Sequence, residues 1–270
     1  MNELWRSLGL EGKRAIIIHH DDLGLTHAQE QAYERLGLPT GSVMVPGPWA
    51  PRPRQGDLGV HVTLTSEWPA PRLRPLTGGA SLRDAAGYLP ATLEAAWRQL
   101  DPGEAAAEMR AQLEAALALG IDVTHLDTHM GAVLRPDLAA AYHSLAVEHR
   151  LPALLPDEAS YEMLPEPFRQ DLVALCERSP LPRLRIVDGY HIPPAERKAW
   201  YCDTLSRLGP GVYHLIHHAA VPTDEGRALA DWEGRQADLE ALQDPDVRRV
   251  LAEFVLITYR DVRDALRRVM

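Results

Sequence analysis

The sequence predicts an α/β fold: a distorted, TIM-barrel-like β/α barrel forming a single domain over residues 1–270. Three observations predict it. Short runs rich in Val, Ile and Leu recur without polar alternation, as strands buried on both faces require. Helical patterns with acidic first turns and Gly or Pro stops separate them. The length, 270 residues of which 46% are hydrophobic, suits one barrel-sized core and does not by itself imply a second domain.

The elements follow in order. RAIIIHH reads as a strand over 14–20, and the turn DDLGLT leads into a helix over 27–36. Strands over 42–46 and 58–64 come next. The segment 65–91 is rich in Pro and Gly and reads as a long βα loop over the site. The helix over 104–119, EAAAEMRAQLEAALAL, consists of strong helix formers stopped by Gly120. A strand over 122–127 and a helix over 136–149 follow. The pattern then repeats, with strands over 152–155, 184–187, 212–217 and 254–258 and helices over 165–177, 195–208, 232–242 and 260–269. Such alternation predicts a parallel sheet closed into a barrel, with an open doubly wound sheet as the alternative.

The net charge is -10, which disfavours a nucleic-acid or anionic-membrane partner. The two cysteines, Cys176 and Cys202, match no zinc or redox spacing and read as free thiols. The stretch MNELWRSLGLEGKR lacks a signal-peptide core, and no apolar run approaches the ~18 residues of a membrane span, so a cytoplasmic protein is expected.

In parallel α/β folds the chemistry sits at the carboxyl ends of the strands. Four such ends are rich in titratable groups: HHDDLG (His19, His20, Asp21, Asp22), GVHVTLT (His61), THLDTHMG (His125, Asp127, His129) and YHLIHHAA (His214, His217, His218). Each has an ordinary reading alone. Asp-Asp-x-Gly makes turns and helix caps, and a lone histidine in an apolar run is usually a satisfied core residue. Together, on one rim, such groups are costly to bury unless paired or bound to a metal. Two imidazoles and a carboxylate suit a divalent cation with open positions.

These stretches resemble the YdjC-like carbohydrate deacetylases, which include chitooligosaccharide and hopanoid-biosynthesis deacetylases. IIIHHDDLGLTHA is similar to the family's opening strand, Asp-Asp-x-Gly turn and helix. GVHVTLT, THLDTH and the closing LITYRDV match further segments in the right order, nearly end to end. The resemblance implies a TIM-barrel-like, metal-dependent hydrolase that deacetylates a small N-acetylated sugar. By position it makes Asp22, His61 and His129 metal ligands, Asp21 the base and His218 the acid or transition-state stabiliser. His125 and Asp127 fall behind the ligands or toward the substrate. Strand alternation puts His20 on the face of Asp22, where orienting that carboxylate and plain strand-end packing are equal readings for it. The sequence does not choose among Mg²⁺, Zn²⁺, Mn²⁺ and Co²⁺: the imidazoles favour zinc or a transition metal, the family magnesium.

Three departures from the family pattern stand out: His19-His20 before Asp-Asp, MGAVLRP after His129, and no proline in HHAA. The metal set survives all three; the identity of the sugar does not follow. A sugar platform at Trp68 or Trp232 competes with ordinary packing, and Arg72 and Arg74 read as solvated loop charges. Both aspartates can reach one site only if the strand stops at this pair, which Gly24 permits. Two other readings share the architecture: a metal hydrolase of another amide or ester, and a non-catalytic sugar- or metal-binding relative. A homodimer stays open as the assembly.

Overall fold

The structure, a computed structural model, describes residues 3–52 and 55–270. The first two residues of the amino-terminal stretch lie outside them; a short helix, α1 (Glu3–Ser7), follows. Thereafter come β1 (Arg14–Leu23), α2 (His27–Leu36), β2 (Thr40–Val43), β3 (Asp57–Val62), α3 (Leu93–Gln99), α4 (Pro102–Ala118), β4 (Leu126–Thr128) and α5 (Pro136–His149). The second half holds α6 (Arg169–Arg178), β5 (Arg185–Asp188), α7 (Arg197–Arg207), β6 (Gly211–His217), α8 (Asp224–Arg227), α9 (Trp232–Gln243), α10 (Pro245–Leu251), β7 (Val255–Leu256) and α11 (Tyr259–Val269).

The strands are parallel and run in the order β4-β3-β2-β1-β6-β5, with β7 beside the start of β1. The predicted strand at 152–155 is present only as bridges, Leu126 to Ala153 and Pro156 to Leu184. Its backbone still bonds to both neighbours: Leu126 N donates to Pro152 O, and Leu184 N to Leu155 O. These links join the two edges of the sheet and complete a β/α barrel. Among the described residues no helix is long and apolar enough to cross a membrane.

β1 is the central stave, buried from Ala15 to Leu23. Ile16 and Ile18 pack outward among Leu215, Leu239 and Leu242. Odd-numbered side chains point inward, as period-two alternation requires. His19 therefore meets the rings of His125 and His214 inside the barrel at 4.9 and 4.6 Å. His20 faces outward against His217 (4.6 Å) and Tyr33 (5.7 Å).

The strand does not stop at Asp21-Asp22. It runs to Leu23, with a register shift against β2 between His20 and Leu23. Asp22 takes φ 63°, a left-handed conformation that Asp tolerates better than most residues. This bulge, not a strand end, turns two adjacent carboxylates toward one site. Gly24 follows at φ 92°, where a Cβ would stand 2.9 Å from Met44 O.

Candidate metal centre and catalytic cavity

Three side chains converge at the carboxyl ends of β1, β3 and β4. Asp22 Oδ1 lies 3.3 Å from His61 Nε2 and 3.2 Å from His129 Nδ1. All three residues are buried, and among the described residues Asp22 Oδ1 has no hydrogen-bond partner. Two ligands held about 2.0–2.2 Å from one ion stand roughly 3–3.6 Å apart, so the donor set and its spacing fit a cation.

Each imidazole is oriented from its far nitrogen. His61 Nδ1 lies 2.8 Å from Asp127 Oδ2, and Ser42 Oγ donates to the same oxygen at 3.1 Å. His129 Nε2 lies 2.8 Å from Glu67 Oε2. A carboxylate only accepts, so both far nitrogens carry hydrogen, and once each ring is neutral its facing nitrogen is the one that presents a lone pair, as in metal-ligating histidines.

Two further groups among the described residues could hold an ion: Asp21, His61 and Asp127, and His19, Asp21 and His214. In the first, Asp127 Oδ2 is already engaged by His61 and Ser42. In the second, His19 Nδ1 and Asp21 Oδ1 are 2.6 Å apart, a hydrogen-bond distance and too close for two ligands on one ion.

Arg235 of α9 completes the floor. It is buried, and its Nη2 lies 2.8 Å from Asp22 Oδ2 and 2.9 Å from Asp231. Burial opposes ionisation of Asp22, but Arg235 together with His129 and His61 outweighs it and holds the carboxyl well below the usual range. Burial likewise disfavours imidazolium at His129, but the neighbouring carboxylates of Asp22 and Glu67 overcome it and raise the pKa to about 9. His61 is pushed well above its ordinary value against burial, chiefly by Asp127 and Asp21.

Imidazolium cannot ligate, so a cation must displace those protons. Calorimetry of zinc binding at pH 7, in buffers of different ionisation enthalpy, is expected to show release of about two protons. Affinity should therefore rise with pH until His129 titrates, near 9. Binding without proton release would show that both rings are already neutral in the metal-free protein.

Asp21 stands beside this triad. Its Oδ2 lies 3.9 Å from His61 Nε2 and 3.6 Å from His218 Nε2. Above these groups is a cavity of about 470 Å³, with Asp21, Asp22, His61, His129 and His218 in its lining. Glu67 and Trp68, from the long loop, and Tyr190, Asp231 and Arg235 form other parts of its wall. Trp68 lies 5.2 Å from the His129 ring, and the Arg235 guanidinium 5.7 Å from Trp68.

Asp21, Asp22, His61, His129, His218 and Trp68 thus line one cavity. Asp127 and His125 lie behind this set: Asp127 holds His61, and His125 meets His19 deeper in the barrel. His20 makes no hydrogen bond to Asp22; both its ring nitrogens are without partners, on the other side of the strand. Trp232 does not line the cavity and instead packs under Arg227. Arg72 pairs with Asp84, and Arg74 stacks on Tyr88. Glu67 and Arg235 were not singled out by the sequence. Arg235 carries one faint local signal, Asp231 four residues earlier.

The family model described as YdjC-like protein matches residues 15–253. A carbohydrate deacetylase of Thermus thermophilus is 56% identical over 264 residues, covering 98% of this chain and 99% of its own. A carbohydrate deacetylase of Thermoanaerobacter pseudethanolicus is 26% identical over 253 residues, covering 88% and 94%. A solved structure from Enterococcus faecalis, described as a candidate cellobiose-phosphate cleavage protein, superposes with a TM-score of 0.73. It is 20% identical and covers 92% of this chain and 98% of that one, a likeness of fold.

Proposed function

The chain belongs to the YdjC-like family, and from that premise we propose that it is a metal-dependent hydrolase that removes the acetyl group from a small N-acetylated sugar. One observation carries the reading. Asp22, His61 and His129 turn one carboxylate oxygen and two ring nitrogens toward one another at the floor of a cavity, with a carboxylate oxygen of Asp21 and the imidazole of His218 beside them. The full-length likeness to a curated carbohydrate deacetylase supports the same substrate class.

Asp22, His61 and His129 would hold the cation; two imidazoles with one carboxylate favour zinc or a transition metal, with magnesium the other candidate. When bound, it supplies Lewis acidity toward a carbonyl oxygen and toward water. The chain's own groups do the rest. Asp21 Oδ2 takes the proton of the attacking water. His218, 3.6 Å from that oxygen, delivers a proton to the departing nitrogen, because an amide nitrogen leaves poorly as an anion. The C–N bond breaks, and acetate and a free amine result. Trp68 and Glu67 bring the loop over residues 65–91 to one side of the cavity, where it limits water and contacts the sugar.

The test is acetate release from a panel of N-acetylated mono- and oligosaccharides, using chelator-stripped protein resupplied with single divalent metals. Metal-dependent acetate from any member is expected. Tight metal binding with no acetate from the panel would overturn the sugar assignment and point to another amide or ester.

A further inference from the structure

His19 and His125 take no part in the chemistry above, yet both are buried inside the barrel at 0% exposure. They form a line that ends on Asp21. His19 Nδ1 lies 2.6 Å from Asp21 Oδ1. His19 Nε2 lies 2.7 Å from His125 Nε2, and His125 Nδ1 lies 2.9 Å from Thr124 Oγ1, whose hydroxyl is 3.1 Å from Leu58 O. Every polar atom on this line has a partner. Buried imidazoles without such satisfaction would be costly.

We propose that His19 and His125 are positioning residues for Asp21: they pin Oδ1 of its carboxylate and leave Oδ2 as the oxygen presented to the cavity. The inference rests on the reading of Asp21 as the base. A carboxylate only accepts, so His19 Nδ1 must carry hydrogen whichever way the other hydrogens along the line run. A hydroxyl and two ring nitrogens allow two complete orders. In one, Thr124 donates to His125 and His125 to His19, and Leu58 O accepts from the backbone N–H of Thr124 alone; in the other, an imidazolium at His19 donates to His125, His125 to Thr124, and Thr124 to Leu58 O. Both place hydrogen on His19 Nδ1, and in both His125 holds the far side of the His19 ring.

The backbone is cut to fit this pair. Gly59, two residues before the ligand His61, leaves room for His125: a Cβ there would stand 2.5 Å from His125 Nε2 and Cε1. On the cavity side, His218 Nε2 lies 3.6 Å and His61 Nε2 3.9 Å from Oδ2. One oxygen is therefore committed to the barrel interior and the other to the site. This accounts for His19 in the opening motif, where a smaller amide could supply one hydrogen bond but not reach His125.

Two experiments decide it. In wild-type protein, ¹⁵N spectra of the histidine rings, assigned through His19→Asn and His125→Phe, are expected to show hydrogen on His19 Nδ1. A bare Nδ1 would overturn the proposal, and this readout does not depend on turnover. In steady-state kinetics, His19→Phe and His125→Phe are expected to lower kcat about 10–100-fold, with KM and zinc affinity within about twofold of wild type. His19→Asn, which keeps a donor to Oδ1, should recover most of the loss seen with His19→Phe. Unchanged kcat in both phenylalanine variants would overturn the positioning role, as would parallel loss of kcat and zinc binding in step with the folded fraction. Wild-type protein that releases no acetate would sink the deacetylase reading, and the spectrum would still decide whether His19 holds Asp21.

Discussion

Asp22→Asn is expected to abolish tight binding of a divalent cation and to destabilise the metal-free protein as well. The substitution keeps the shape of the side chain, and Asn is another residue that tolerates the left-handed conformation found here at φ 63°. What it removes is charge. With an amide in place of Oδ1 and Oδ2, His61 and His129 lose the anionic member of their triad. The loss in zinc affinity should exceed the roughly 100-fold that accompanies removal of a group merely orienting a ligand. Arg235 is affected too, because Asp22 and Asp231 are the carboxylates that face its buried guanidinium. Removing one partner of a buried ion pair costs about 3–5 kcal/mol in many proteins, and retention of Asp231 should place this case toward the lower end. Urea unfolding of the stripped proteins measures the second effect, and zinc calorimetry the first. Arg235→Met in the Asp22→Asn background should restore part of the stability but none of the zinc binding. Wild-type zinc affinity in Asp22→Asn would remove Asp22 from the ligand set.

Much of this arrangement is legible along the chain, for physical reasons. The first half of β1 shows because Ala15–Ile18, buried on both faces, is apolar throughout. α2 and α5 begin and end where the pattern of residues indicates. His61 and His129 stand out because strand ends gather on one rim, so their type and position suffice. The stave at 152–156 is harder to read: its backbone bonds to both neighbours yet forms only isolated bridges. Glu67 and Arg235 were hidden for another reason. A glutamate in an irregular loop and an arginine inside a helix look solvated, and only the closed fold brings them to His129 and Asp22. The two histidines of the opening motif show what alternation can and cannot decide. It correctly separates His19 from His20, but the face of Asp22 depends on a one-residue bulge. That bulge undoes the shared face of His20 and Asp22, leaving His20 against His217 and Tyr33.

Asp21→Asn is expected to remove turnover while leaving the metal in place. Loss of a general base typically costs about 10²–10⁴-fold in kcat. The geometry makes this an unusually clean substitution. An amide oxygen can still accept from His19 Nδ1, so the side chain keeps the orientation set by the 2.6 Å contact. The other atom becomes an NH₂, which meets the cavity with hydrogens where a lone pair is needed. KM should change little, because no substrate-binding group is lost, and zinc affinity should fall at most about tenfold through loss of a neighbouring negative charge. The pairing of these results matters more than either alone, since Asp21 also belongs to a second cluster with His61 and Asp127 that could hold an ion. If that cluster were the metal centre, Asp21→Asn would abolish zinc binding together with turnover, and Asp22→Asn would spare it. If Asp21 is the base, Asp21→Asn loses turnover alone and Asp22→Asn loses both. Turnover in Asp21→Asn within about threefold of wild type would eliminate the base role altogether. The two variants thus separate ligand from base at adjacent positions, the distinction that the bulge at Asp22 creates in the structure.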